Sequence, residues 1–485
     1  MIPHIMVQAV LQQSVAGFYT DLVTRPTGRA VRENIERDLL PGTIAVMDFT
    51  GVGCLDYSCA DEIVAKLVRD KVKVLLLRGL TDAHREAIEP VLAGAGLAVL
   101  CERADGALEG LGASGDPKAR ADWTAVAPPL YQSSTFTNPV GSTAEVLYSR
   151  YGNNPNQVDI GRRLALLEGA DAALFLASGM AAAALAHLAV LRPGDHLLAS
   201  EWIYGGVYRL FREEFGKLGI DVSFVNPTQQ RTWKRAMRKT TRAVFLETPT
   251  NPLMRVLDLE PVATVCKAEG LALIVDSTFA SPVNFRPLEH GADLVIHSAT
   301  KYLNGHTDVI AGAVAGTDQV VDEVRRLMQV WGQAIDPFAA WLIDRGMRTL
   351  TVRVRRQNEI GLAVAEWCAK QDAISKVHYP GLPSHPDHEH AKRILSGFGG
   401  MLGIELKGGV RAAERFLRAL TIAAHAPSLG GVETLVSEPR LTSHASLTAE
   451  QRAQAGIPDG FLRFSLGLED PDDLIADFAQ ALARH

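Results

Sequence analysis

Two residues set the chemistry open to this chain. Lys301 lies in His297-Ser298-Ala299-Thr300-Lys301-Tyr302, and Asp276 closes Ile274-Val275-Asp276 roughly a helix and a strand earlier. A lysine amine can hold an aldehyde as a Schiff base, and a carboxylate can keep a pyridine nitrogen protonated. Pyridoxal phosphate (PLP) needs both, because its ring drains carbanion charge only while that nitrogen is cationic. Either residue alone would read as a surface lysine or a strand-end aspartate. Further segments give the pair its meaning. Ser178-Gly179-Met180 lies where a strand opens into a helix, and a helix N-terminus offers unpaired N–H groups and positive potential to a phosphate. Ser298 and Thr300 flank the lysine with hydroxyls suited to the same phosphate. Tyr204 precedes Gly205-Gly206, where backbone can approach closely, so its ring is placed to stack on a pyridine. Arg463, in Phe461-Leu462-Arg463-Phe464-Ser465, brings a fork for a substrate carboxylate.

The elements that must position these residues are legible in outline. From about 165 to 355 strands alternate with helices, as at Ala172–Leu176, His196–Ala199, Ala243–Glu247, Leu271–Asp276 and Leu294–His297. That alternation predicts a mainly parallel sheet covered by helices. Residues 356–485 open with a long helix, contain the strand Met401–Leu406 and close with the amphipathic helix Pro471–Arg484, a smaller α/β domain. Residues 106–164 are expected to be a linker and an extended arm, with the linker proper running from Arg103 to Ala121 through Gly110, Gly112, Gly115 and Pro117. Residues 1–105 form a separate α/β unit. Its strands are Thr43–Phe49, Val72–Leu77 and Leu97–Leu100, with a helix from Cys59 to Arg69 that sets Ile63, Val64, Leu67 and Val68 at helical spacing.

The bulk numbers exclude several classes. At 485 residues two or three domains are expected, and a formal charge of −6 with 21% charged residues gives no basic excess for nucleic acid or an anionic membrane. Five cysteines without CxxC spacing read as reduced thiols, and Met1 to Met6 lacks the basic start of a secretory signal, so a cytoplasmic location is expected. Ala172 to Leu191 carries no Asp, Glu, Lys or Arg and imitates a membrane span, yet it breaks at Ser178-Gly179-Met180 and reads as a buried strand and helix. His385, Asp387, His388 and His390 invite a metal reading, but their Pro-rich loop holds neither HExxH nor a cysteine ligand, and no metal is expected.

From about Val126 onward the chain resembles the cystathionine γ-synthase-like family, the Cys/Met-metabolism PLP enzymes of fold type I. The resemblance rests on Pro129-Leu130-Tyr131-Gln132-Ser133-Ser134-Thr135-Phe136, Tyr148-Ser149-Arg150-Tyr151-Gly152-Asn153, Glu247-Thr248-Pro249-Thr250-Asn251-Pro252, the lysine segment and Ser428-Leu429-Gly430-Gly431-Val432-Glu433, in that order. It implies that Lys301 carries PLP and then moves protons, that Asp276 pairs with the pyridine nitrogen, and that Tyr204 stacks on the ring and serves as a base. It further implies that Gly179, Met180, Ser298 and Thr300 hold the phosphate, joined by Tyr148 and Arg150 from a neighbouring subunit. Asn251, Ser428 and Arg463 would fix the substrate carboxylate and the cofactor's phenolic side. A site shared in this way implies a homodimer at least and, as the expected assembly, a homotetramer.

Members of such a family eliminate or replace groups on sulfur amino acids and O-acylated homoserine. Two departures bear on the choice. Related methionine γ-lyases place a cysteine where this chain has Gly206, and many cystathionine enzymes carry an acidic residue where this chain has Pro427. The expectation is a broad C–S lyase acting by γ-elimination, with a γ-replacement synthase as the alternative and a regulatory protein on an inactive PLP scaffold as the reading from another class. Intact Lys301, Asp276, Tyr204 and Arg463 speak against that last reading.

Val46 to Asp61 resembles the centre of a STAS domain, where a strand runs into Leu-Asp-x-Ser at a helix start; here that serine is Ser58. The resemblance implies an appended STAS-like regulatory or docking module with a protein partner. Asp56 or Ser58 as a plain helix cap is the alternative.

Overall fold

The computed structural model describes residues 3–15, 20–40, 42–95, 97–103, 108–112, 126–138, 145–445 and 447–483. By its internal contacts the chain divides into two units, residues 1–127 and 128–485.

The first unit carries a five-stranded sheet in the order β1 (His4–Met6), β2 (Thr43–Asp48), β3 (Val72–Arg78), β4 (Ala98–Glu102), β5 (Leu108–Gly112). The first four run parallel, and β5 returns antiparallel along β4 with Leu100 opposite Gly110. This corrects the expected linker from Arg103 and the expected domain end at 105. Residues 108–112 belong to the sheet and bury Leu111, while 104–107 and 113–125 lie outside the described residues. The helical run over 57–70 is capped by Asp56, whose side chain accepts from the Cys59 N–H, and it widens into a π turn at Asp61–Ala65. A helix at Arg25–Asp38 was not expected, because its apolar positions are sparse. It buries Val31 and Ile35, and Gly28 lies so near Cys59 that a Cβ there would stand 3.0 Å from the Cys59 Cα.

The second unit is built on a seven-stranded sheet. Its strands in chain order are β6 (Ala172–Leu176), β7 (His196–Ser200), β8 (Asp221–Val225), β9 (Thr241–Glu247), β10 (Ala272–Asp276), β11 (Leu294–His297) and β12 (Gly312–Gly316). They lie side by side as β6-β12-β11-β10-β9-β7-β8, and only β12 runs against its neighbours. Successive residues enter opposite cores. Leu197, Ala243, Phe245 and Ile274 pack in the cluster beneath the helix Gly179–Val190, while Leu198, Val244, Leu246, Leu273 and Val275 fill the other face. Burial on both faces explains the unbroken apolar runs that mark these strands in sequence.

The apparent membrane span resolves into β6 and the helix Gly179–Val190, and among the described residues no helix is long and apolar enough to cross a membrane. The helix Pro155–Glu168 crosses the expected boundary at 164/165, and the helix Leu350–Cys368 crosses that at 355/356. The arm therefore ends in regular structure, and the two later parts share a helix. The remaining five strands, β13 (Ile374–His378), β14 (Met401–Leu406), β15 (Ala424–His425), β16 (Leu435–Ser437) and β17 (Phe461–Ser465), make a second sheet in the order β13-β14-β17-β16-β15.

Candidate active site

The expected residues come mainly from segments that follow the carboxyl ends of parallel strands, the edge at which open α/β sheets leave room for ligands. Asp276 ends β10, opposite Glu247 at the end of β9. Ser298 to Lys301 follow β11, Tyr204 follows β7, and Gly179 and Met180 follow β6. Arg463 lies within β17 of the second sheet. A cavity of about 610 Å³ collects Gly179, Met180, Tyr204, Asn251, Asp276, Ser298, Thr300, Lys301, Ser428 and Arg463. Tyr148 and Arg150 are not in its lining. The Arg150 guanidinium lies 5.5 Å from the Tyr148 ring centre and 5.0 Å from that of Tyr151, and its side chain donates to the Gln329 carbonyl.

Lys301 Nζ donates to Ser428 Oγ at 2.8 Å. Burial, helped by the charge of Arg463, pulls the amine down to about 8, so about a tenth of it is neutral and nucleophilic at pH 7, far more than for an ordinary lysine. Ser428 holds φ at 104°, a sparsely populated conformation for a residue with a side chain, and its carbonyl accepts from Arg463 Nη2 at 3.2 Å. Arg463 Nη1 donates to Asn251 Oδ1 at 2.9 Å. The buried Nε of Arg463 has no partner among the described residues. The burial of this guanidinium lowers it to about 10.

Asp276 Oδ1 accepts from the Thr278 N–H at 2.9 Å and from its hydroxyl at 2.5 Å, and Thr278 Oγ1 in turn accepts from the Ser298 N–H at 2.9 Å. Burial nevertheless raises the Asp276 carboxyl. Beside it, burial and the charge of Asp276 hold Glu247 well above the usual carboxylate range. Glu247 accepts from the backbone N–H of Tyr204 at 2.7 Å and of Asn251 at 2.9 Å. A carboxyl raised by burial regains its ionised form when a cation arrives, and a protonated pyridine nitrogen is such a cation.

Ser178 caps the helix Gly179–Val190 by accepting from the Ala181 N–H at 3.1 Å, which leaves the N–H groups of the first turn at the cavity. A Cβ on Gly179 would lie 2.9 Å from Ser298 Oγ, so any side chain there would fill the cradle between helix start and lysine segment. The Thr300 hydroxyl donates to the Ala311 carbonyl at 3.1 Å and accepts from the Ala311 N–H at 2.9 Å. The site thus offers an amine of lowered pKa, an anion cradle at a helix N-terminus, a buried carboxyl and an unpaired guanidinium donor, a set that fits PLP.

Sequence reasoning left Glu247 and Thr278 without roles although both line the cavity. Glu247 stood in a quoted segment, and a carboxylate just before a Pro-rich turn was the available signal. The histidine loop is structural. His385 Nε2 faces the Leu253 carbonyl at 3.4 Å and its Nδ1 accepts from the Asp387 N–H at 3.2 Å. No metal-binding cluster forms among the described residues.

The profile of the family described as Cys/Met metabolism PLP-dependent enzyme matches residues 112–483. An L-methionine gamma-lyase of Pseudomonas putida is 41% identical over 74% of this chain and 92% of its own length. An O-succinylhomoserine sulfhydrylase of Pseudomonas aeruginosa is also 41% identical, over 70% of this chain and 83% of its own. The crystal structure of a cystathionine gamma synthase from Xanthomonas oryzae pv. oryzae, in complex with aminoacrylate and cysteine, superposes with a TM-score of 0.72 at 40% identity, covering 74% of this chain and 93% of that one. The chain belongs to the Cys/Met metabolism PLP-dependent enzyme family and has its fold type I α/β architecture.

Proposed function

We propose that this member of the family is a C–S lyase that acts by γ-elimination on sulfur amino acids. The observation that carries the reading is the short contact of Lys301 with Ser428 in a cavity that also holds Asp276 and Arg463. When bound, PLP supplies the electron sink for charge at the substrate α-carbon. Lys301, about half neutral at pH 8, takes and returns protons at that carbon. Asp276 keeps the pyridine nitrogen protonated, and Tyr204 covers the ring and accepts a proton from the incoming amine. Arg463 and Asn251 receive the substrate carboxylate, the guanidinium bringing an Nε that has no partner among the described residues. Gly179, Met180 and Ser298 hold the phosphate, and Thr300 joins them by turning from the Ala311 carbonyl.

Gly206 favours a different specificity from that of a methionine γ-lyase. A Cβ at Gly206 would stand 2.5 Å from the Tyr204 ring and 3.1 Å from Met180 Sδ, so a cysteine there would displace the tyrosine from its present place. The second reading, γ-replacement, is supported by the likeness to a cystathionine gamma synthase and a sulfhydrylase. A product assay separates them. Offer cystathionine, homocysteine, methionine, cysteine and O-acylhomoserine, then follow 2-oxo acid, sulfide and new thioether. Elimination yields a 2-oxo acid, ammonia and the leaving group, which is a thiol, sulfide or, from O-acylhomoserine, the acyl carboxylate. Replacement releases that carboxylate and joins the offered thiol to the homoserine skeleton as a thioether, without oxo acid or ammonia. A holoenzyme that forms neither sinks both readings.

Two further parts of the reading concern assembly and the N-terminal unit. Tyr148 and Arg150 complete the phosphate site of a neighbouring subunit in a homodimer, paired into a homotetramer; exposed Val330 and Trp331 are in keeping with a covered face. The N-terminal unit is a STAS-like module that binds a protein partner. Its support is the mainly parallel five-stranded sheet and the turn Leu55-Asp56-Tyr57-Ser58. In that turn the Ser58 hydroxyl donates to Asp56 Oδ1 at 2.9 Å, and Asp56 caps the helix.

A further inference from the structure

The loop from Glu247 to Leu257 leads from β9 towards the helix Glu260–Glu269, and its two sides are held differently. On the cavity side Asn251 meets Arg463 of β17. On the far side Arg255 is gripped from the segment 385–388. Its Nε and Nη2 reach Asp387 Oδ2 and Oδ1 at 2.6 and 2.9 Å, a bidentate fork, while its guanidinium lies 4.8 Å from the ring centre of Trp202. Asp387 Oδ2 also accepts from the Val256 N–H at 3.0 Å.

His385 holds the tip of the same loop through the Leu253 carbonyl. Its Nδ1 accepts an N–H while its Nε2 meets a carbonyl, so the ring is the neutral Nε2–H tautomer. Burial, which pulls this imidazole down to about 4, keeps it neutral across the physiological range.

The loop itself is stiff. Thr250 and Arg255 exchange two bonds, from Thr250 N to the Arg255 carbonyl at 2.9 Å and from Arg255 N to Thr250 Oγ1 at 3.2 Å. The Leu257 N–H is tied to Thr248 Oγ1 at 3.0 Å. A displacement at Arg255 therefore reaches Asn251 through a short, cross-bonded turn. The fork is mostly sequestered, with side-chain exposures of 22% for Arg255 and 14% for Asp387, so water and salt screen it weakly.

We infer that Asp387, with His385, is a positioning residue for substrate binding: by gripping Arg255 and Leu253 it keeps Asn251 aligned with Arg463 and so sets the site for an α-amino acid's carboxylate. This rests on the proposed carboxylate role of Arg463 and Asn251 and adds to it a control point on the outer side of the loop, away from the cavity. Removing the Asp387 charge leaves the Arg255 guanidinium without its fork and frees the loop, while Lys301, Asp276 and the phosphate cradle stay as they are.

The test uses the full-length holoenzyme and two ligands without a leaving group, L-alanine and its decarboxylated counterpart ethylamine, titrated against the visible band of bound cofactor. In Asp387→Asn the Kd for L-alanine is expected to rise about tenfold, as for a displaced positioning group, with the Kd for ethylamine and the cofactor content unchanged. An unchanged Kd for L-alanine, an equal loss for both ligands, or loss of cofactor overturns the inference. Arg463→Gln is run alongside. If it leaves L-alanine binding intact, the carboxylate reading itself fails. If it weakens L-alanine while Asp387→Asn does not, only the positioning role fails. Should Asp387→Asn not yield folded protein, Arg255→Lys, which keeps the charge and loses the fork, is held to the same outcomes.

Discussion

The state of the Lys301 amine before cofactor arrives is the most direct quantity to test. Burial and the neighbouring Arg463 bring it from 10.5 to about 8. At pH 7.5 roughly a quarter of such an amine is neutral, against about one part in a thousand for an ordinary lysine, an advantage of about two hundredfold in nucleophile. Cofactor-free protein mixed with PLP at a series of pH values, with the visible band followed by stopped flow, reads that fraction directly. The attachment rate is expected to rise about tenfold per pH unit below 7, bend near pH 8 and level off by about pH 9. Because burial is the larger cause and Arg463 the smaller, Arg463→Gln should move the bend to higher pH without restoring ordinary lysine behaviour. A wild-type rate that still climbs tenfold per unit through pH 9.5 would show that the amine is not desolvated, and the account of the site would fall with it.

Asp276→Ala should keep the fold and lose about 10²-fold or more in turnover, since on the proposed reading the pyridine nitrogen would lose the carboxylate that keeps it charged; near wild-type turnover would mean that another group, with Glu247 the first candidate, does this. Tyr148→Phe and Arg150→Ala should each weaken PLP retention, and exchange of subunits with Lys301→Ala should restore part of the activity, as one complete site per mixed dimer requires; no recovery after verified exchange places both residues elsewhere. A chain starting at Pro128 should remain folded, bind PLP and turn over like the whole protein, because every cavity-lining residue lies in the second unit; a folded, dimeric but inactive truncation would make the N-terminal unit part of the site.

Much of the fold was written into the sequence by its apolar runs. Strands buried on both faces need uninterrupted apolar runs, and β6 and β11 therefore stand where Ala172–Leu176 and Leu294–His297 put them. Elements without such a pattern were illegible. The helix Arg25–Asp38 buries few apolar side chains and is held by its close approach to Cys59, and β5 is a Gly-containing strand that exists because β4 offers it a partner.

The candidate site divides in the same way. Residue type and order named Lys301, Asp276, Tyr204 and Arg463, because only a few side chains can hold an aldehyde, a pyridinium and a carboxylate. Their convergence was decided by the strand order, which brings the ends of β9 and β10 side by side, and by the loop at Asn251, which meets Arg463 from β17 some two hundred residues later. Sequence likewise gave no sign that Glu247 would face Asp276 in the dark of the core, or that His385 and Asp387 would spend their polar atoms on Leu253 and Arg255. A side chain's chemistry travels with its type; its partners, its burial and hence its proton affinity exist only once distant segments are packed together.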